Sequence, residues 1–483
     1  EQIYRALSNS GSASLLDPLK VIPTILPAQG EAARDIMALV GNNCSAKEVI
    51  IAIQEAVERI QSSLYSEDDD EEKRTSLVGQ LDSLISLSAS SIIRLRLRNK
   101  TASETITPVV SDLQETIRLV PSHSVPTEGR HLVGTVSYTV QNILKWARTS
   151  TDNKVDEIVK CKTVLHGLLE ATVTACIPFI RSSLAQKAFN VFFPRLVVRS
   201  VFRPGQEESD KAIQDATDAS TALGYSPSAL LWRPSIASLV LLAHNPLTLP
   251  FTSAWLLSFL PIILTSMQTN VALDESLAIL YHQLTRATDI PQEVLSPLAE
   301  VLPSLASVHP DSSTRFLAFR LLAQLLTFAS SQTRLEILRD LTSESPFPQM
   351  RTAAIGLVKE AVLEAISCAP SARQSNVFAS PLFMRTFSPI LFRPSPPSLF
   401  SSSLSLADFQ DSSEPSRLAE SVALLYILLK RDTSNLTGIL ISDEFEKVEN
   451  ALLKPLRSFL SSIKSTQEYN NRQGKQKFRL LPS

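Results

Sequence analysis

The stretch SPFPQMRTAAIGLVKEAVLEAI, Ser345 to Ile366, decides how this chain is read. At about 100° per residue, Met350, Ala353, Ala354, Ile355, Leu357, Val358, Ala361, Val362, Ala365 and Ile366 fall on one broad arc. Thr352, Gly356, Lys359 and Glu360 lie opposite. The spacing predicts a helix, and Pro348 suits its first turn, where a missing N–H costs little. Arg351 falls inside the apolar arc, between Val358 and Val362. A buried guanidinium must be paired or its burial is costly, so a partner is expected. The other outcome is a side chain that runs along the helix edge to water.

Working outward, the neighbouring segments fall into pairs. Pro291–Val308 is followed by Asp311–Ala329, and Ser331–Ser343 by Pro348–Ile366, with connections of only a few residues. Such short links force antiparallel neighbours. TRFLAFRLLAQLL lies over MRTAAIGLVKEAV without gaps, placing Arg315 over Arg351, Ala318 over Ala354 and Leu321 over Leu357, at an offset of 36 residues. That period is within the range of helical-pair repeats. Arg315, like Arg351, falls on the apolar side of its helix, near Leu322 and Leu326. Both arginines stand in a first turn, from which a loop carboxylate or the carbonyl end of a neighbouring helix is within reach. Asp311, Asp340 and Glu344 are the nearest carboxylates in sequence. The pattern predicts the arginine ladder by which HEAT-type stacks hold their register, with Arg315, Arg351, Asp311 and Asp340 as its structural residues.

The rest of the chain reads as helix after helix. Residues 29–41, 46–65, 74–97, 106–119, 131–148 and 152–182 all show three-to-four spacing of apolar positions. IRLRLR, Ile93 to Arg98, alternates like a strand, but its helical upstream context makes it the basic end of a helix. SEDDDEEKR, Ser66 to Arg74, reads as a solvated acidic loop, with docking of a basic partner as the other use. FTSAWLLSFLPIILTSM, Phe251 to Met267, carries no charge. It is too short and too interrupted by Pro261 for a membrane span, so a fully buried helix is expected. From Ala369 to Arg417 serine and proline become dense while Phe and Leu persist, which predicts a long loop packed in places against the body. The organisation expected is an irregular helical-repeat region over 1–288, a HEAT-like core over 289–368, the Ser/Pro-rich loop over 369–416, and C-terminal helices with a basic tail over 417–483.

Composition narrows the function classes. Of 483 residues 44% are hydrophobic and 19% charged, so a large core can form. The net charge of −2 gives no general pull toward nucleic acid or an anionic membrane. Only 12 glycines occur, which counts against phosphate-cradling loops and all-β folds. Cys44, Cys161, Cys176 and Cys368 stand far apart, with no CxxC pair, and read as reduced thiols of an intracellular protein, cytoplasmic or also nuclear. The chain begins at Glu1 rather than Met, so a short preceding piece is expected, and nothing present resembles a signal peptide. The sequons at Asn43, Asn99 and Asn435 are then read as chance.

No residue set announces a reaction. His123, His131, His166, His244, His282 and His309 form no metal-ligand spacing, and helical ones such as His166 and His282 read as packing or surface residues. GxGxxG, GxxxxGK[ST] and GxSxG are missing, and SSIK at Ser461–Lys464 satisfies SxxK without its companion motifs. Two basic clusters, Arg94 to Lys100 and Lys475 to Arg479, lack interleaved aromatics. No catalytic residue, cofactor, metal, direct nucleic-acid contact or membrane contact is therefore expected.

With these residues in view, HPDSSTRFLAFRLLAQLL and LRDLTSESPFPQMRTAAIGLVKEAV resemble the shared core of the glomulin, Alf and fungal YAP-binding proteins. The matching features are Asp311, Arg315, Leu322, the SPFPQMR turn-and-helix, and Lys359 within IGLVKE. The resemblance implies a catalytically silent α-solenoid that grips another protein. Fungal members of that family bind a bZIP transcription factor of the oxidative-stress response and support its activation. Glomulin-like members cover the RING subunit of cullin–RING ubiquitin ligases. No partner-contacting residue transfers by motif, so that set stays unassigned. The expectation is an all-α, irregular HEAT-like α-solenoid of stacked antiparallel helix pairs, monomeric, with a bZIP factor or a cullin–RING subunit as partner. A transport or general scaffold solenoid is a further alternative; it predicts near-equal repeats, which the N-terminal third lacks.

Overall fold

The computed structural model describes residues 2–465 apart from 11, 29, 66–70, 98, 120–124, 153, 181, 197–203, 247–252, 370–372, 374 and 402–405. Among the described residues every regular element is helical. Contacts divide the chain into two units, Glu1–Thr288 and Asp289–Ser483.

The first unit opens with α1 (Gln2–Ser10), α2 (Pro18–Ile25), α3 (Glu31–Asn43), α4 (Ala46–Tyr65) and α5 (Glu71–Ile92). It continues through α6 (Ala102–Leu119), α7 (Pro126–Ser150), α8 (Val155–Cys176), α9 (Leu184–Phe192) and α10 (Gln206–Leu223). It closes with α11 (Pro227–Leu230), α12 (Ile236–Ala243), α13 (Ser253–Thr269) and α14 (Leu273–Arg286). Alternate helices form two rows. One runs α2, α4, α6, α8, α12 and α14, the other α3, α5, α7 and α10, and α4–α5 and α7–α8 join them. Each row is sealed by apolar faces, with Val49, Ile53, Val57 and Ile60 of α4 buried beside Ile106, Val109, Leu113 and Ile117 of α6. Polar bonds stitch the same seam. Gln54 donates to Asp112 at 2.9 Å, Gln61 to Thr116 at 2.8 Å, and Ser103 of α6 to Glu157 of α8 at 2.8 Å. Helix lengths within the rows vary, from 8 residues in α2 and α12 to 25 in α7, which hides the row pattern from any fixed repeat period.

The second unit is built from α15 (Gln292–Val308), α16 (Ser312–Leu326), α17 (Ser331–Ser343) and α18 (Pro348–Ser367), followed by α19 (Pro381–Leu391). It ends with α20 (Leu406–Asp411), α21 (Glu414–Arg431), α22 (Ser442–Val448), a π-turn over Glu449–Leu453, and α23 (Lys454–Ser465). α15 pairs with α16 and α17 with α18, while α21 packs on α18 and α19 on α17. Stacked helix pairs of this kind are α-solenoid architecture. Caps set the ends: Asp311 accepts from the Thr314 N–H at 3.0 Å, and Ser330 from that of Thr333 at 3.1 Å. Pro348 and Pro381 open α18 and α19.

Three expectations are corrected. α5 ends at Ile92, so Ile93 to Leu97 lies in a turn and irregular chain rather than at a helix end; Trp146 instead reaches the Leu95 carbonyl at 3.3 Å. α13 is not fully buried, since Trp255, Leu256, Phe259 and Ile263 face inward while Leu257 and Pro261 face water. No single helix among the described residues is long and apolar enough to cross a membrane. The Ser/Pro-rich segment holds a true helix, α19, whose Phe383, Met384, Phe387 and Leu391 are buried at helical spacing. The Ser66–Asp70 run and the tail from Thr466 lie outside the described residues.

Candidate functional site

The face of α18 opposite its buried arc is not simply solvated. Gln349, Thr352, Gly356 and Lys359 recur at helical spacing along it and, with Ala353, which the helical wheel puts on the apolar arc and which is only half-buried, line an open groove of about 640 Å³. Half-buried Phe319 of α16 forms one wall, and Asp411 to Ser413, Ser416 and Glu420 of the α20–α21 corner form the other. The walls are set by burial behind them: Leu357, Val358 and Ala361 hold α18 against the core, and Leu418 and Leu424 hold α21. Phe409 of α20 packs tilted against Phe400 and edge-to-face against Phe459, at centroid distances of 6.1 and 5.1 Å, and so anchors the Asp411 corner. Lys359 and Glu420 face each other across the groove at 3.9 Å, an ion pair too long for a hydrogen bond.

The expected arginine ladder takes a different form. Arg315 Nη1 donates to the carbonyls of His309 (2.6 Å) and Pro310 (2.9 Å), at the C-terminal end of α15, and not to a carboxylate. Asp311 is the cap of α16. Asp340 accepts from its neighbour Arg339 at 2.8 and 3.0 Å on the surface. Arg351 is half-exposed, and among the described residues no hydrogen bond or ion pair holds it. From the apolar side of the helical wheel, a stem as long as arginine's can bring its guanidinium to water at the helix edge. Paired internal arginines do occur, at positions the sequence reading missed. Arg334 of α17 bonds Glu364 of α18 at 2.7 Å. Arg417 grips Glu414 through Nε (2.6 Å) and Nη2 (2.9 Å) and also donates to the Arg393 carbonyl, both residues being 7% exposed. The first-turn spacing from Glu414 to Arg417 was the one available signal for that pair.

The first unit has surface features of its own. His131 of α7 meets Asp82 of α5 at 3.1 Å, and that hydrogen bond raises the imidazole above its ordinary pKa. Two clefts, of about 290 and 550 Å³, adjoin it. Trp232 stands 79% exposed in the turn after α11. Beside it Arg233 lies over the Tyr225 ring at 4.7 Å, and Tyr225 packs on His166 at 3.8 Å. His282 packs on Phe192. Three thiols are buried. Burial raises Cys44, pushes Cys161 up to about 11 and Cys176 up to about 12, while Cys368 is half-exposed at the end of α18. Among the described residues no group of three His, Cys, Asp or Glu side chains is arranged to hold a metal.

Comparison with known proteins bears on the groove directly. Residues 247–482, about half of the chain, match the family described as uncharacterised protein family, YAP/Alf4/glomulin. The match takes in α13 to α23 and every residue that lines the groove. No curated protein matches the chain.

Proposed function

We propose that this chain, which belongs to the YAP/Alf4/glomulin family over residues 247–482, is a non-catalytic regulatory scaffold that binds another protein. The observation that carries the reading is the groove on α18. It mixes small apolar and charged residues, lies open, and is built entirely from family-matched helices. A surface of that composition suits a macromolecular partner better than a small molecule, which prefers an enclosing pocket.

At finer grain, the partner is a bZIP factor of the oxidative-stress response, whose activation the scaffold supports from the cytoplasm or nucleus. The buried, high-pKa thiols favour support by surface contact over thiol exchange, since the thiolate is the reactive form. The alternative is masking of the RING subunit of a cullin–RING ligase, and a generic transport or scaffold solenoid is a further one. A pull-down from extract with and without peroxide separates them. A bZIP protein retained in a peroxide-dependent way is the expected result. Cullin and RING subunits retained regardless of peroxide would favour masking, and retention of no protein would sink the scaffold reading.

A further inference from the structure

Gly356 sits in the middle of α18, where glycine weakens a helix relative to alanine through its backbone entropy. In a chain with only 12 glycines such a position asks for a cause. Two other helical glycines have one inside the fold, while Gly134 and Gly167 meet only ordinary side-chain contact. A Cβ on Gly41 would collide with Ser90 and Leu87, and one on Gly129 with the Phe179 ring. Around Gly356 nothing beyond its own helix backbone and chain neighbours lies within 4 Å of the place a Cβ would occupy. The open space is the floor of the groove.

Resting on the scaffold reading, we infer that this groove seats one helix of a partner protein, basic along one flank, crossing α18 closely at Gly356. Three features fix that chemistry. The α18 backbone spends its N–H and C=O groups within its own helix, so an extended segment would find no ladder partners, whereas a helix brings its own hydrogen bonds. From Gln349 to Lys359 the groove runs about 15 Å, the length of nearly three turns. The α20–α21 wall is acidic. Exposed Asp411 has no ion pair among the described residues, and Glu420 is held only by the long contact to Lys359. A lysine or arginine on the incoming flank completes both carboxylates, and small side chains opposite Gly356 allow the close approach.

The test uses the full chain and three labelled 15-residue peptides: an Ala/Leu-based helix with arginines on one flank, the same helix with glutamates, and the arginine version broken by a central proline. Fluorescence anisotropy should show the arginine helix binding at least tenfold more tightly than the other two. Gly356→Phe should weaken it at least tenfold without lowering the melting temperature by more than a few degrees. Asp411→Lys with Glu420→Lys should reverse the preference toward the glutamate helix. Gly356→Ala should raise the melting temperature by about 2 to 4 °C, because nothing inside the fold needs the glycine. Equal binding by wild type and Gly356→Phe, a preference for the broken peptide, or a fall in melting temperature with Gly356→Ala overturns the inference. Self-association that Gly356→Phe abolishes would also overturn it, in favour of a second copy as occupant. If wild type and Gly356→Phe retain the same protein from extract, the scaffold reading stands and the groove assignment falls. Retention by neither ends both.

Discussion

Arg351 and Arg417 carry the same side chain into opposite surroundings. Arg351 starts on the apolar side of α18 and ends half in water without a bonded partner. Arg417 is enclosed, with Glu414 and two main-chain carbonyls taking up its donors, and the Ser395 N–H completes the carboxylate at 3.1 Å. Removing one member of an enclosed ion pair leaves a charge with neither partner nor solvent. Glu414→Ala should therefore cost about 3–5 kcal/mol in urea unfolding. Arg351→Met should stay within about 0.5 kcal/mol of wild type. Equal losses would contradict the two environments. Which face a residue starts from was readable, since it follows from the helical period. Where a flexible guanidinium comes to rest was not: Arg334 finds Glu364 thirty positions away, and no local pattern announces it.

At the scale of an element, the first turn of α14 joins two carboxylates with different fates. Asp274 accepts the N–H groups of Leu184 and Ala185, at 2.6 and 3.1 Å, and so caps α9 from outside. Glu275 is 3% exposed, and burial, helped by the neighbouring Asp274 charge, pushes its carboxyl up to about 8. In the unfolded chain it ionises near its ordinary value of 4.5, so between that pH and about 8 the folded state holds the extra proton. Stability therefore falls as pH rises through this window, by a few kcal/mol in all, and levels off above it. Glu275→Gln has no proton to lose. The stability difference between this variant and wild type should shift in the variant's favour from pH 5 to pH 8, measured by thermal or urea unfolding. A constant difference would rule out a protonated Glu275. Elements themselves were legible where caps and period agree, as in α17, whose observed span Ser331–Ser343 is the one its spacing predicts. They were obscured where composition pulls the other way. In α19 serines and prolines hide the spacing of Phe383, Met384, Phe387 and Leu391, and past Ile92 the helical context upstream outweighs an alternation of arginines that does not have the helical period.

For the whole molecule, each unit has its own buried core. Residues 1–288 expressed alone should give a helical circular-dichroism spectrum and a cooperative melt, yet retain no partner, since the α18 groove is missing. A non-cooperative melt would mean that the division at Asp289 is geometric rather than energetic. The groove was half legible. Thr352, Gly356 and Lys359 were placed on the outer side of α18 by periodicity, but Asp411 and Glu420 arrive from more than fifty positions downstream. Only tertiary packing sets them opposite. The buried thiols have a consequence of another kind. Cys44, Cys161 and Cys176 all belong to the first unit, and an alkylating reagent reaches them only when α3 or α8 opens. Where reclosing outruns the reagent, labelling speed measures the free energy of that opening. The chain thus has built-in timers of its own breathing, ready to be read by mass spectrometry without a single engineered residue.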